Sequence, residues 1–506
     1  MQPDAGAPPP EFRLQLWSFR DDVAIEAGGG RSLTILTRWG DVQVPDAAPG
    51  VEDFLRRMTY GPVALGNAVD LDPKNLHETL GRLPGCVVHS LALRDASSPL
   101  LSVVPVSPRG LFDLPHQGRL TDTSPIRLSR FAFIRENGDE LLVESPLAHH
   151  RVVLHRPLAS WVVGALGRPT TSTEVARDAN LPRPLVLEIV AYLAGAGMVL
   201  LGAENGNGDA PTFAEDRDPA LLTWSPHDLL FHSRSRLGRH DNPAGAAFNH
   251  ISTVRPLPVV KPLPDGQRHP LPRPDLDAAA APGMSLTDAI EHRHSVRVFA
   301  DEGPTAAQLG ELLYRTARIR SQREVSGAGD VRYTVSERPY PSAGSLYELD
   351  LYLTVDRCPD LPRGIYHYDP AGHALTLINH CARDVDELIA GATVLIGSSR
   401  PPVLITMTAR IGRLSWVYDS IAYATTLKHV GVLQQTMYLV ATMLGLAPCA
   451  LAMGDSELAT AAFGLCWPAE VSVGEFAVGV RGHSTETGVN TQESLRRKGG
   501  AQPDRA

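Results

Sequence analysis

Paired cysteines, a membrane-length apolar run and an excess of positive charge are all missing from this sequence, and each absence removes a class of protein. The five cysteines (Cys86, Cys358, Cys381, Cys449 and Cys466) are an odd number with no C-x-x-C spacing, which gives neither a disulfide framework nor a thiolate metal site. No apolar stretch reaches the roughly 20 residues that a bilayer requires. The N-terminus Met1-Gln2-Pro3-Asp4-Ala5 lacks the basic and apolar regions of a secretion signal, so a cytoplasmic protein with reduced thiols is expected. A formal net charge of −9 argues against a broad nucleic-acid footprint. Also missing are G-x-S-x-G, a phosphate-binding P-loop, and G-x-G-x-x-G after a strand, which leaves hydrolase, nucleotidase and dinucleotide-binding readings unsupported. A metal reading of His227/His232 and His292/His294 fails as well. The latter pair is spaced i, i+2, which diverges on a helix, and no carboxylate or cysteine cluster completes a ligand set.

What is present is an ordinary globular composition, 43% apolar and 20% charged, in 506 residues. That is too long for one core and points to about two to four domains. Residues 1–110 open with strand-like runs at Phe12–Trp17 and Ser32–Leu36, with helical stretches near Val51–Met58 and Leu76–Leu83. Gly28-Gly29-Gly30 separates two strand candidates and reads as a hairpin turn, because no helix follows it. Residues 111–215 form a second module: strands near Phe131–Ile134 and Leu141–Glu144, helices at Ala159–Leu166, Thr173–Asn180 and Leu185–Ala196, and a closing strand at Gly197–Leu200. The pattern fits a winged helix-turn-helix, any small α+β module, or a sheet edge that captures an extended peptide. DNA binding is disfavoured, since Arg177 and Arg183 face Glu174, Asp178 and Glu188. Residues 216–282 become proline-rich after Arg255 and read as an extended connector. A further domain is expected at 283–484, and a polar, disordered tail at 485–506.

Chemistry concentrates in that last domain. Ser285 caps a short helix, with Asp288 three residues on, which delivers Arg293-His294-Ser295-Val296-Arg297. Two arginines spaced i, i+4 around a serine suit a dianionic phosphate held without metal, although a solvated basic helix end is the plain alternative. Arg481 follows the strand-like Glu475–Val480, and strand ends are where ligand groups gather. Pro341-Ser342-Ala343-Gly344-Ser345 is either a strand-entry turn or a loop small enough for backbone amides to approach a flat ring. In the long apolar helix Ile421–Leu444, Lys428, Gly431, Gln435 and Thr442 share one stripe. That stripe faces a ligand or packs against another helix, and Gly445 with Pro448 ends the helix.

Taken together, these segments resemble the flavin-dependent nitroreductase superfamily, and within it the SagB/ThcOx-type dehydrogenases that oxidise azoline rings in ribosomally made peptides. The likeness extends through Trp224–Arg236, Arg293–Phe299, Pro341–Tyr347, Gly364–Pro370 and Ile421–Leu451. It implies an α+β fold: a mainly antiparallel sheet flanked by helices that binds FMN, preceded by two winged-helix-like modules of the kind that recognise leader peptides. By this resemblance Arg293, His294, Ser295 and Arg297 contact the flavin phosphate and pyrimidine. Pro341 and Ser342 to Ser345 form the loop beside the isoalloxazine; Gln435, from its place on the helical stripe, is expected to face the cofactor or substrate. Met453-Gly454 approaches its N5 edge, and Arg481 is the second phosphate ligand. The resemblance also implies a homodimer, a precursor peptide with a leader as substrate, and a cyclodehydratase partner.

One departure concerns the proton. The azoline oxidases carry a Lys-Tyr dyad before the long helix, and this chain has Val417-Tyr418 instead. A neutral tyrosine is a poor base near pH 7, its ordinary pKa lying about three units above. Lys428 is the expected support for Tyr418, provided helical geometry reaches back that far. Alternatively Lys428 binds flavin or only packs, the reaction involves another bond of a modified peptide, or the chain is a redox-inactive leader-binding scaffold.

Overall fold

The computed structural model describes residues 13–28, 32–64, 73–83, 85–93, 98–116, 118–203, 210–276 and 283–482. The chain divides into two units, Met1–Asn242 and Pro243–Ala506. The tail expected at 485–506 lies outside the described residues, as do Gly29 and Gly30.

The first unit is built on a seven-stranded antiparallel sheet. Its strands are β1 (Arg13–Phe19), β5 (Val63–Ala64), β6 (Val87–Leu93), β7 (Leu101–Pro105), β9 (Phe133–Asn137), β10 (Glu140–Glu144) and β11 (His150–Leu154), ordered β5-β1-β6-β7-β11-β10-β9. A second sheet joins β2 (Ala24–Ala27), β3 (Leu33–Leu36) and β4 (Val42–Val44). β2 and β3 pair antiparallel on either side of the glycine run. Helices α1 (Pro49–Met58) and α2 (Pro73–Gly81) complete this end, with Val51, Phe54 and Leu55 buried against Leu33 and Ile35.

The boundary expected at residue 110 is not where this unit divides. β7, from one side of it, pairs with β11, from the other, in the register Leu101↔Leu154 to Pro105↔His150. Leu91, Leu101 and Val103 therefore share one core with Val143, Val152 and three helices. Those helices are α3 (Pro157–Ala165), α4 (Ser172–Ala179) and α5 (Arg183–Gly195), close to the expected ranges, and the ribbon of β8 (Ile126–Leu128) and β12 (Val199–Leu201) accompanies them. Thr171 and Glu174 form a reciprocal capping box at the start of α4. Asn180, left-handed at φ 54°, ends it. Two short helices, α6 (Pro219–Leu222) and α7 (Pro226–Arg234), finish the unit.

In the second unit both faces of one antiparallel sheet are covered. The order is β13 (Gln267–Pro270), β18 (Ala374–Asn379), β17 (Gly364–Asp369), β16 (Leu349–Val355), β19 (Val403–Arg410), β21 (Glu470–Val480) and β20 (Leu446–Leu451). Alternation along β16 and β21 sends Leu351, Leu353, Phe476 and Val478 to one face, where α9 (Ala306–Ala317) and the 22-residue α12 (Ala422–Met443) pack. Tyr352 and Ala477 face the other side, against α10 (Ala382–Ile396) and α13 (Ser456–Phe463). The remaining elements are α8 (Leu286–His292), the hairpin β14 (Ser321–Ser326) and β15 (Arg332–Glu337), and α11 (Ile411–Ser415). Gly445, at φ +70°, ends α12, and Pro448 lies in the edge strand β20, where a missing N–H costs little. Among the described residues no helix is long and apolar enough to cross a membrane, and all five cysteines are free.

The stretch expected to be a connector, 216–282, is shared between the two units. Its first part carries α6 and α7. Its proline-rich part is extended but bonded to the second unit's sheet. Prolines remove N–H groups yet leave carbonyls to be satisfied. Arg413 donates to the carbonyl of Leu257, Arg410 to those of Pro258 and Val259, and the Trp416 indole to that of Val254. β13 then pairs with β18 as an edge strand, compatible with Pro270.

Candidate active site

The segment Arg293–Arg297 leaves α8 in extended form and runs beside the ends of β20 and β21. Val296 N–H donates to the Pro448 carbonyl at 2.8 Å, and Ala300 N–H to that of Val480 at 2.9 Å. Phe299 pairs with Arg481, so the two arginine-bearing segments expected to act together are adjacent. Ser398 and Ser399 both donate to the Arg297 carbonyl, fixing the chain there. Arg293 lies over the Tyr438 ring at 5.1 Å, and the Tyr438 hydroxyl meets Ser295 Oγ at 2.7 Å while accepting from Ala450 N–H at 2.7 Å. His294, Arg297 and Arg481 are exposed. Among the described residues no carboxylate pairs with Arg293, Arg297 or Arg481. Guanidinium groups without protein counter-ions beside a strand end are the donor set a phosphate needs.

The loop after Pro341 is held from α12. Ala343 N–H donates to His429 Nε2 at 2.9 Å, so the ring proton is on Nδ1, which donates to Glu348 at 2.8 Å. Ser342 Oγ accepts from Tyr347 N–H at 3.1 Å, closing the turn. Gly344, Ser345 and Tyr347 have φ of 59°, 55° and 47°, three left-handed residues in four. A side chain at Gly344 would meet the Tyr418 hydroxyl 3.0 Å away, which places Tyr418 against this loop. His429 was not a candidate from sequence; one polar residue on the buried face of an apolar helix was the available signal.

The proposed support of Tyr418 by Lys428 is corrected by the backbone. Helix α12 begins only at Ala422, and Tyr418 precedes a turn while bridging to Ala246. Burial, followed by the neighbouring Tyr333, raises the Tyr418 pKa, and no cation opposes it. Tyr418 is therefore suited to donating a hydrogen bond, not to taking a proton. Lys428, Gly431 and Gln435 are exposed on one stripe of α12, while Thr442 is buried and bonded to the Tyr438 carbonyl. The adjacent Gln434, not Gln435, reaches the sheet, donating to the Glu475 carbonyl at 3.2 Å. Val417 is 3% exposed in a cluster with Leu346, Leu414 and Trp416, a site into which a lysine ammonium could enter only at a high desolvation cost.

Met453 and Gly454 lie on the loop after β20, with Met453 66% exposed. They line an apolar cleft of about 540 Å³ together with Leu388, Val394 and Leu395 of α10, Leu458 of α13, and Glu475. A Cβ at Gly454 would overlap the Glu475 carboxylate, so the glycine is what lets the loop lie over that acid.

These features suit a flavin mononucleotide: unpaired arginines for the phosphate, a left-handed loop without bulk, and an apolar cleft at the loop after β20. Residues 290–480 match the nitroreductase family, and residues 126–241 match the cyanobactin oxidase ThcOx. A Methanocaldococcus jannaschii protein assigned to the nitroreductases is 25% identical over 181 residues, 35% of this chain and 82% of that protein. A Ralstonia eutropha structure of the same assignment is 20% identical, covering 46% of this chain and all of its own, with a TM-score of 0.33. The Escherichia coli microcin synthetase McbBCD complex with truncated pro-MccB17 bound is 17% identical over 53% of this chain and 95% of that one, with a TM-score of 0.33. The second unit thus carries the FMN-dependent oxidoreductase domain of the nitroreductase family. In the same chain it is preceded by the segment that matches the cyanobactin oxidase ThcOx.

Proposed function

We propose that this protein oxidises thiazoline or oxazoline rings of a ribosomally made precursor peptide to the aromatic azoles. The observation that carries this reading is a cyanobactin-oxidase segment preceding a nitroreductase domain in one chain. When bound, FMN supplies two-electron chemistry; the protein supplies orientation and electrostatics. Arg293, Ser295, Arg297 and Arg481 hold the phosphate, with His294 beside the pyrimidine. Ser342 to Ser345 line the ring, kept in place by the hydrogen bond from Ala343 N–H to His429. Tyr418 presents its hydroxyl to that loop and orients the substrate. The exposed stripe Lys428, Gly431 and Gln435 faces cofactor or a second copy of the chain. The protein works as a cytoplasmic homodimer, takes the peptide through its leader on the first unit, and follows a cyclodehydratase that makes the azoline.

The test is direct. The purified protein should show flavin absorbance, and incubation with an azoline-bearing peptide should remove two hydrogens per ring by mass spectrometry. A colourless protein that still binds the peptide would instead mark a scaffold.

A further inference from the structure

Three glutamates of the second unit are deeply buried: Glu348, which has His429 as a partner, Glu470, held by Lys261 and Thr408, and Glu475, 7% exposed, which has no partner among the described residues. Strand β21 is paired on both sides of Glu475, with Thr406 on β19 and Leu451 on β20, so its backbone is fixed. Its side chain points to the face covered by α10 and α13 and ends in the apolar cleft beneath Gly454. A carboxyl group in such a place is costly unless it has a use, because nothing compensates its lost hydration.

We propose that Glu475 is the proton acceptor of this enzyme, in the role that Val417 cannot fill, and that the cleft above it receives the five-membered azoline ring. The inference rests on the azoline reading above. Leu388, Val394, Leu395 and Met453 give the ring apolar walls, and the Met453-Gly454 loop ties the cleft to the proposed redox edge of the flavin. The carboxylate takes the proton from the ring carbon next to the exocyclic carbonyl. Flavin, when bound, would supply the two-electron acceptor for the hydride of the neighbouring ring carbon, so that the ring is oxidised as the bond between the two carbons becomes double. Glu475 returns its proton to water through the cleft mouth.

Burial alone raises the Glu475 pKa to about 7, where a general base is most effective near neutrality. The other titratable groups lining the cleft are Glu387 on α10, paired with Arg383, and Asp455 and Glu457 at the start of α13, Asp455 capping that helix. From α12, Val430 and Gln434, neither titratable, pack against Gly474 and the Glu475 backbone.

The experiment uses the FMN-loaded full chain, an azoline-bearing peptide, and the variants Glu475→Gln and Glu475→Asp. Wild-type kcat/KM should rise with pH through an ionisation near 7. Glu475→Gln should lose at least a hundredfold in turnover and lose that ionisation while keeping its flavin absorbance, with Glu475→Asp in between. In the apoprotein, the melting temperature of Glu475→Gln should gain on wild type as pH rises from 5 to 8. Glu475→Gln turnover within threefold of wild type, a wild-type profile flat between pH 6 and 8, or a melting difference that does not change with pH would each overturn the assignment of Glu475. A wild-type protein that is flavin-loaded but inert towards azoline peptides would overturn the functional reading beneath it instead.

Discussion

The surroundings of Glu348 and Glu475 differ in one respect that decides what each can do. Glu348, 0% exposed at the entry to β16, accepts from His429, which in turn accepts from the Ala343 amide, so its charge is spent on holding a loop. Glu475 lies in the same sheet with comparable burial and has a cleft where Glu348 has a histidine. Burial of a carboxyl group is therefore no sign of function on its own; an absent partner and an open side are.

The sharpest way to break this contrast is in rate. Glu475→Gln should cost about 10²–10⁴ in turnover, the usual yield of a positioned base. Next in size is the strut: His429→Ala strands the Ala343 amide and the Glu348 carboxylate, and should cost about 3 kcal/mol in denaturant-midpoint measurements. His429→Gln, able to accept from the amide, should recover part of this. Val417→Lys should destabilise by about 2 kcal/mol or more without raising azoline oxidation, since its side chain enters the apolar cluster of Leu346 and Trp416; a faster enzyme would return the proton to the Tyr418 side. The pH effect on Glu475 follows from linkage. Its folded pKa of about 7 is raised from an ordinary 4.5, so the wild-type protein binds more protons folded than unfolded between those values. Relative to Glu475→Gln, wild type loses about 2–3 kcal/mol as pH rises from below 4.5 to above 7, all of it gone by pH 8. Smallest should be Arg481→Ala at the exposed end, which weakens flavin affinity about tenfold or somewhat more in a fluorescence titration.

Legibility in the sequence followed the range of the interactions involved. Helices α4, α5 and α12 announce themselves through caps, apolar period and the Gly445 stop, all local signals. The Arg293–Arg297 segment and Arg481 were singled out as donors and prove adjacent, because a phosphate reading asks for donors whatever the topology. The division of the first unit was hidden, since β7 pairs with β11 across some fifty residues and nothing near residue 110 reveals it. Glu475 was hidden for another reason: in Glu475-Phe476-Ala477, alternation makes an acid look like the wet face of a strand, and only the packing of α10 and α13 makes that face dry. Lys428 would stand near Tyr418 only on a helix continuing through Tyr418, where the chain turns instead.

Anyone wishing to prepare the catalytic half alone should note where Arg410 and Arg413 send their protons. A fragment begun at the apparent domain start near 283 would discard the carbonyls of Leu257, Pro258 and Val259, leaving Arg410 with only its Asp350 ion pair and Arg413 with the carbonyls of Leu346 and Thr334. The shortest soluble piece should start close to Pro243, with the proline segment serving as its outer clasp.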